Sequence, residues 1–491
     1  MKFVLQLGVK FAILIPFAKL SSSIRTKMNK SKFDKSIIEG PILAAVWKLA
    51  WPTMLQNMIA GLQGVVDHTM VGHYVGFEGN AAIGVSWQIF LVVVVFISSL
   101  YSGMAVLVAR FAGADDEKNV NHTVYQGILI SAILAMGIMA PLGYVFTPEL
   151  LNIVKAAPEV QAEALTYLRI MFVFSFGKLL FFMLGGTLRS AGDAKTPLRL
   201  GVVLTVLNLI LNAILIPGFG PIPRFGTTGA AIGTVVATNL VGFFGIYLLF
   251  SKRLVVKFYL KMRWAPDWAV ISQLFKFGLP TGFQGIVVNI SGVLLLRFIG
   301  SLPQGAEAQA AFTVCYTQLF SLITWTSVGL MGATAAVAGQ NLGAEKPERT
   351  VNAVKKASYV ALVLAVFVGS LFLTVPEKLL LIFGMKEQVL IEIAIDLLQY
   401  LSISGIFIAL ALVYTGGLQG TGDTRSPLFI SIISQAAIPL GYCILMEKMG
   451  VLEAHDIWIA ILLGHITRCV LSFLRFSQGH WREIKVVASR L

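Results

Sequence analysis

The chain has 491 residues, 57% of them hydrophobic and only 13% charged, with a mean hydropathy of +0.81 and a formal net charge of +14. Soluble domains carry about 25% charged residues, so a water-soluble globular protein is excluded and the chain belongs in a bilayer. Cys315, Cys443 and Cys469 stand alone within apolar stretches, which argues against both a disulfide framework and a metal site and gives them a structural reading.

Residues 1–45 read as a cytoplasmic tail. Phe3 to Leu20 is apolar but broken by Lys10, and no small-residue cleavage site precedes Ser21; this fits a start-site extension or an interfacial helix. Arg25, Lys27, Lys30, Lys32 and Lys35 follow and suit a mobile segment on the inner face. Apolar runs then recur about twelve times, each long enough to cross a hydrocarbon layer of about 30 Å as helix. In the first half the expected spans are Leu49 to Gly72, Ile83 to Ala109, Val124 to Phe146, Leu165 to Thr187, Leu198 to Ile216 and Thr228 to Phe250. Those of the second half are Phe275 to Ile299, Ala310 to Ala338, Val354 to Val375, Leu397 to Gly417, Leu428 to Met446 and Ile457 to Phe476. Residues 46–250 then form an N-terminal lobe, 251–274 a cytoplasmic linker, 275–476 a C-terminal lobe and 477–491 a cytoplasmic tail. Membrane-spanning strands would be short and alternating, so a β-barrel does not fit.

Lys and Arg are distributed asymmetrically. With the N-terminus inside, inner loops hold Arg110, Lys118, Arg189, Lys195, Arg199, a run from Lys252 to Lys276, Lys346, Arg349, Lys355, Lys356 and Arg425, whereas outer loops hold only Lys155, Arg224, Lys378, Lys386 and Lys448. Both termini are therefore expected in the cytoplasm. Anionic lipid at that face accounts for the positive charge, and a nucleic-acid partner is not expected.

The chain repeats itself. Gly186 to Leu198 (GTLRSAGDAKTPL) returns 230 positions later as Gly416 to Leu428 (GGLQGTGDTRSPL), Gly113-Ala114 as Gly343-Ala344, and Gln88-Ile89-Phe90 as Gln318-Leu319-Phe320. At an offset of 228, Pro52, Thr53, Gln56, Gly64 and Gly72 match Pro280, Thr281, Gln284, Gly292 and Gly300. Two homologous halves follow, and paired transporter halves place substrate at their interface.

Asp67 is the outstanding residue, because an ionised carboxylate near mid-membrane costs at least about 2.5 to 3.5 kcal/mol. It must be neutral, paired or functional, and a change in its hydration would let it bind and release a proton. Asp67 lies five residues before the outer end of its span, Asn212 five before Pro217, and Thr234 six after Thr228. At about 1.5 Å per residue all three share one depth, and Asn208, four before Asn212, shares its face. This set could coordinate Na⁺ or hydrogen-bond a protonated acid; alternatively the Asn and Thr side chains only join helices. Lys178, far from either end of its span, could neutralise Asp67 or face water. Gln56, Gln88, Gln284 and Gln318 could line an aqueous cavity or bond across helices, as could Asn239, Asn289, Gln399 and Gln435. Arg169, Arg297 and Arg468 lie nearer span ends and are expected to snorkel.

In the repeated motif, Gly192 and Gly422 permit a tight turn, Asp193 and Asp423 can cap exposed amides, and Pro197 and Pro427 begin the next helix. The two turns serve either an inner gate or plain loop-building. No Gly-x-x-x-x-Gly-Lys-[Ser/Thr] loop is present, so ATP-driven transport does not fit, and the scattered histidines at 68, 73, 122, 455, 465 and 480 offer no catalytic or metal spacing.

These features together resemble the multidrug and toxic compound extrusion (MATE) transporters: the paired Leu188 to Pro197 and Leu418 to Pro427 motifs, and Trp51-Pro52 followed by Asp67 and Gly72-His73. The likeness covers residues 41 to 477. It implies an all-α integral membrane fold with two pseudo-symmetric six-helix lobes in a V, and an antiporter of the bacterial plasma membrane. Such an antiporter expels organic, often cationic compounds against entry of H⁺ or Na⁺, and no further cofactor is implied. By the same resemblance Asp67 is the cation site of the N-terminal lobe, with Asn208, Asn212 and Thr234 as partners. Many relatives carry Asp where this chain has Asn212, and the acids that some carry in the seventh and tenth spans are here Val288 and Ile408, so a cation site in the C-terminal lobe is not expected. A monomer is expected. A lipid-linked precursor flippase of the same wider superfamily would want a basic cavity, for which only Lys178 and Arg297 are candidates; a membrane enzyme or a channel fits less well.

Overall fold

A computed structural model describes residues 33–154, 157–259, 265–385 and 387–486. Within them the chain is helical apart from an isolated bridge between Phe219 and Ile222. The first half consists of α1 (Ile42–Tyr74), α2 (Phe77–Gly113), α3 (Glu117–Ile153), the pair α4 (Pro158–Val173) and α5 (Phe176–Ser190), α6 (Lys195–Leu215) and α7 (Gly226–Phe250). The second consists of α8 (Trp268–Gly300), α9 (Gly305–Gly343), α10 (Pro347–Thr374), the short α11 (Pro376–Ile382), α12 (Gln388–Thr421), α13 (Arg425–Met449) and α14 (Ala454–Ser477). Among the described residues nine helices are both long and apolar enough to cross a membrane, and ten if α4 and α5, bent by 53°, make one span. Helices α1 and α2, of 33 and 37 residues, supply the length.

Local chemistry sets the ends. Pro158 and Pro347 open α4 and α10 at their first positions, where a missing N–H is harmless. Asp116 caps α3 by accepting from the Asn119 amide at 3.1 Å. Asp267 caps α8, accepting from the amides of Ala269 and Val270 at 3.0 and 3.3 Å, so α8 begins at Trp268 and the linker is shorter than the expected 251–274. Burial alone would raise the Asp267 carboxyl, but the His122 side chain at 3.0 Å and these two amides outweigh it and hold the group below its ordinary value.

The lobes meet crosswise. The start of α1 (Val46, Leu49, Ala50, Met54) packs into the core of the second lobe, and the start of α8 (Val270, Ile271, Leu274, Phe277) packs into that of the first. Contact is tightest where the basic loops lie: a Cβ on Gly278 would stand 1.9 Å from the Ser99 carbonyl oxygen, and one on Gly103 2.0 Å from that of Leu274. Further from this basic end α2 and α8 bound a cavity of about 490 Å³, lined by Gln88, Ser99, Phe283 and Asn289 among apolar neighbours.

Both chain ends within the described residues dock on the seam; Arg25, Lys27, Lys30 and Lys32 of the tail expected to be mobile lie outside those residues. Phe33 and Ile37 are buried; Asn341 donates to the Ile37 carbonyl at 3.3 Å and Arg349 to that of Gly40 at 2.8 Å. Burial works against ionisation of Asp34, yet bonds from Lys48 and Ser36 hold its carboxyl below the usual range. At the other end Trp481 is buried, and Arg110 reaches across from α2 to the Ile484 carbonyl at 2.6 Å.

Candidate functional site

Helices α1, α6 and α7 bring the expected polar residues together. Asn212 donates through Nδ2 to Asp67 Oδ1 at 2.8 Å; its contact with Asn208 Oδ1, at 3.5 Å, is longer. Asn208 donates to Thr234 Oγ1 at 3.2 Å. Both asparagines are fully buried and Asp67 is half-buried. The shared depth inferred from counting residues corresponds to direct contact for Asp67 and Asn212, because the helical rise converts equal spacing from a common end into equal height, whereas Thr234 joins the cluster through Asn208.

Gln63 completes the network and was not singled out from the sequence. It donates to Asn208 Oδ1 at 2.9 Å and accepts from Thr205 Oγ1 at 3.0 Å. Its signal was available: it precedes Asp67 by four residues, which places it on the same helical face. A pocket of about 190 Å³ opens on the cluster, lined by Gln63, Asp67, Thr205 and Asn208 with Ile59, Leu62, Val66 and Leu209. That is room for several waters at about 30 Å³ each. Asn212 Oδ1 is buried and has no hydrogen-bond partner among the described residues. It fits only because Gly233 faces it, where a Cβ would stand 2.1 Å away.

Lys178 does not pair with Asp67. Its ammonium stands over the rings of Phe90 at 4.7 Å and Trp87 at 5.1 Å, where the aromatic faces replace water around the charge, and it acts on Asp67 only at longer range. Gln284 does not line a cavity either: it is buried, donates to Ser431 at 2.8 Å and accepts from Gln419 at 3.1 Å, joining α8 to α12 and α13. Gln88 and Asn289 line the larger cavity, Gln56 lies against Gly201, and Gln318 is exposed but lines neither cavity. Arg468, expected to snorkel, is buried inside the second lobe at 7% exposure; it shares a face of α14 with Trp458 and His465, which stack on Phe312 and Phe320 of α9 and, through His465, bond Ser404 of α12.

The repeated motif forms two matching turns. Gly192 and Gly422 both take φ of 100°, a conformation open chiefly to glycine. Asp193 accepts from the amides of Lys195 and Thr196 at 3.1 and 3.0 Å and from the Thr196 hydroxyl at 2.6 Å. Asp423 accepts from the amide and hydroxyl of Ser426 at 3.2 and 2.8 Å, and also from Arg475 Nε at 2.9 Å. Pro197 and Pro427 are buried in the first turns of α6 and α13. Both turns abut the opposite lobe: Gln340 donates to the Ser190 carbonyl at 2.6 Å, and Gly422 lies beside Val106. Among the described residues no cluster of three or more His, Cys, Asp or Glu could hold a metal ion, and the three cysteines are free.

Comparison with known proteins places the chain in a family. The chain is 28% identical over 444 residues to "Probable multidrug resistance protein NorM" of Thermotoga maritima, covering 90% of this chain and 93% of that one. Its fold matches a MOP superfamily transporter from Pyrococcus furiosus with a TM-score of 0.84 at 23% identity, over 93% of this chain and 100% of the other. It also matches an outward-facing multidrug resistance MATE family transporter, at the same TM-score and coverage and 22% identity. The MatE family model matches twice, over residues 52–214 and 280–443, once in each of the halves that the sequence repeat defines. The chain is therefore a multi-pass membrane protein of the MATE transporter family.

Proposed function

We propose that this protein is a secondary active multidrug efflux antiporter. It exports organic compounds, cationic ones among them, in exchange for H⁺ or Na⁺, and Asp67 is the site of the coupling cation. The observation that carries the reading is the Asp67–Asn212 bond of 2.8 Å beside the unused Asn212 Oδ1. An ionised carboxylate accepts the Asn212 N–H; a protonated one gains an O–H donor, which the free amide oxygen can accept. For Na⁺, the oxygens of Asp67, Asn212 and Asn208 are hard ligands of the right class. Either occupant removes the uncompensated charge and favours a different packing of α1 against α6 and α7.

Alternating access supplies the transport step. With the basic end in the cytoplasm, the tight seam there is a closed inner gate, the two glycine turns are its edges, and the cavity of about 490 Å³ between α2 and α8 holds cargo. That volume lies within the range of drug-sized sites. Loading Asp67 from outside lowers the affinity of the first lobe for cargo, and coupling requires that cation and cargo bind the two states unequally. The test is efflux of a fluorescent organic cation from vesicles under an imposed proton or sodium gradient. One gradient is expected to drive efflux, whereas equal rates with neither, either or both would defeat the antiport reading.

A further inference from the structure

The short segments that flank the helical bundle each cross the seam between the lobes. Before α1, Phe33 and Ile37 are four residues apart, yet Phe33 is buried in the core of the first lobe and Ile37 in that of the second. Three side chains at the α9–α10 corner of the second lobe hold this backbone: Asn341 donates to the Ile37 carbonyl, Lys346 to that of Ile38 at 3.2 Å and Arg349 to that of Gly40. After α14, Trp481 is buried in the core of the second lobe, stacked on Phe476 with centroids 5.1 Å apart and donating to the Phe476 carbonyl at 2.9 Å. Three residues on, Ile484 packs against both cores, and Val486 packs against that of the first lobe.

Each segment also covers one of the two glycine turns. A Cβ on Gly192 would stand 2.9 Å from Ile37 Cδ1 and 3.7 Å from Asp34 Cβ; one on Gly422 would stand 3.1 Å from Ile484 Cγ2. Two segments that the repeat does not relate thus place an isoleucine on equivalent turns. The side chains that reach across follow the repeat as well. Gln340 stands 230 positions after Arg110; it bonds the Ser190 carbonyl beside the first turn, and Arg110 bonds the Ile484 carbonyl beside the second. An apolar side chain buried by two bodies at once loses that burial when they part. Both segments therefore stabilise the arrangement closed at the basic end relative to one in which the lobes separate there.

We infer that residues 33–41 and 479–486 form a double latch on the inner gate. Both release when the lobes part at the basic end, and their grip sets what fraction of the protein stands closed there. The inference rests on the alternating-access reading but not on the identity of the coupling ion.

The experiment is the distance distribution between spin labels at positions 118 and 355, exposed sites on α3 of the first lobe and α10 of the second. It uses the full chain in nanodiscs without cargo or ion gradient, with the labels carried on ketone-bearing residues so that the native cysteines stay unmodified. Ile37→Ala and Ile484→Ala are each expected to raise the ratio of long to short distances about tenfold, because apolar burial is lost in the closed arrangement alone. The double variant raises it further. Leu401→Ala, inside the core of the second lobe, lowers Tm but leaves the ratio unchanged, which separates a latch from plain stabilisation. Should the isoleucine variants fail to fold, Arg349→Gln decides: it removes the bond to the Gly40 carbonyl and raises the ratio about threefold. Unchanged ratios in folded variants, while the wild type samples both distances, overturn the latch and leave alternating access standing. One short distance throughout, in wild type and variants alike, overturns both.

Discussion

Gly113 and Gly343 hold the same place in the two repeats and meet crosswise at the basic end. A Cβ on Gly113 would stand 1.9 Å from the Gln340 carbonyl oxygen, and one on Gly343 2.0 Å from that of Arg110. Each glycine thus lets the backbone of the other lobe come into contact, and the repeat that is visible in the sequence becomes a symmetric seam.

Alanine at either position wedges this seam. Gly113→Ala and Gly343→Ala are expected to depopulate the arrangement closed at the basic end, seen as longer distances between spin labels on the two lobes there. Gly84→Ala and Gly285→Ala, where a Cβ meets nothing within 4 Å, serve as controls and leave the distances unchanged. Unaltered distances in the first pair would show that the seam does not depend on these contacts.

The fit of Asn212 against Gly233 gives a second prediction. Gly233→Ala forces the Asn212 carboxamide aside and breaks its bond to Asp67; overpacking of this kind costs about 1–3 kcal/mol, and gradient-driven efflux is expected to fall about tenfold or more with the loss of a charge-assisted bond. Gly64→Ala, on α1 but with open space around it, keeps both stability and efflux. Equal behaviour of the two variants would mean that the Asn212 position does not matter.

The two motif aspartates differ in their partners, and so should their variants. Asp193→Ala loses a helix cap, worth about 0.5–2 kcal/mol. Asp423→Ala loses a cap and the Arg475 bond in a buried setting, so its Tm falls further. Thermal unfolding of both gives the order, and a larger loss for Asp193→Ala would contradict this account of the turns.

The linker clamp is sensitive to acid. Because bonds from His122 and two amides hold Asp267 below its ordinary value, its contribution to stability is present above the unfolded carboxylate pKa of about 3.9 and is lost as pH falls through the folded value. Asp267→Asn is expected to be less stable at pH 7 and to show a shallower loss of Tm between about pH 5 and 3 than the wild type. Parallel pH profiles would remove the clamp.

Much of this architecture was legible in the chain. Apolar runs gave the helices, the 230-residue offset gave the two halves, and residue counting put Asp67, Asn212 and Thr234 at one height because helical rise is constant, with Asn208 on the face of Asn212. What counting along a helix cannot give is the direction a side chain faces once its neighbours are unknown. Lys178 turns to the rings of Phe90 and Trp87, Gln284 joins three helices, and Arg468 points inward although its distance from the span end suited snorkelling. The docking of Ile37 and Trp481 on the seam was hidden for the same reason: short apolar segments beside basic ones acquire a partner only when both lobes are in place.

The most direct test of the central claim is Asp67→Asn in sealed vesicles, with efflux of a fluorescent cation followed under whichever ion gradient drives the wild type. The account predicts a folded protein, with a stability within about 1 kcal/mol of the wild type, whose gradient-driven efflux falls to the rate of empty vesicles. Wild-type efflux from the variant would contradict it.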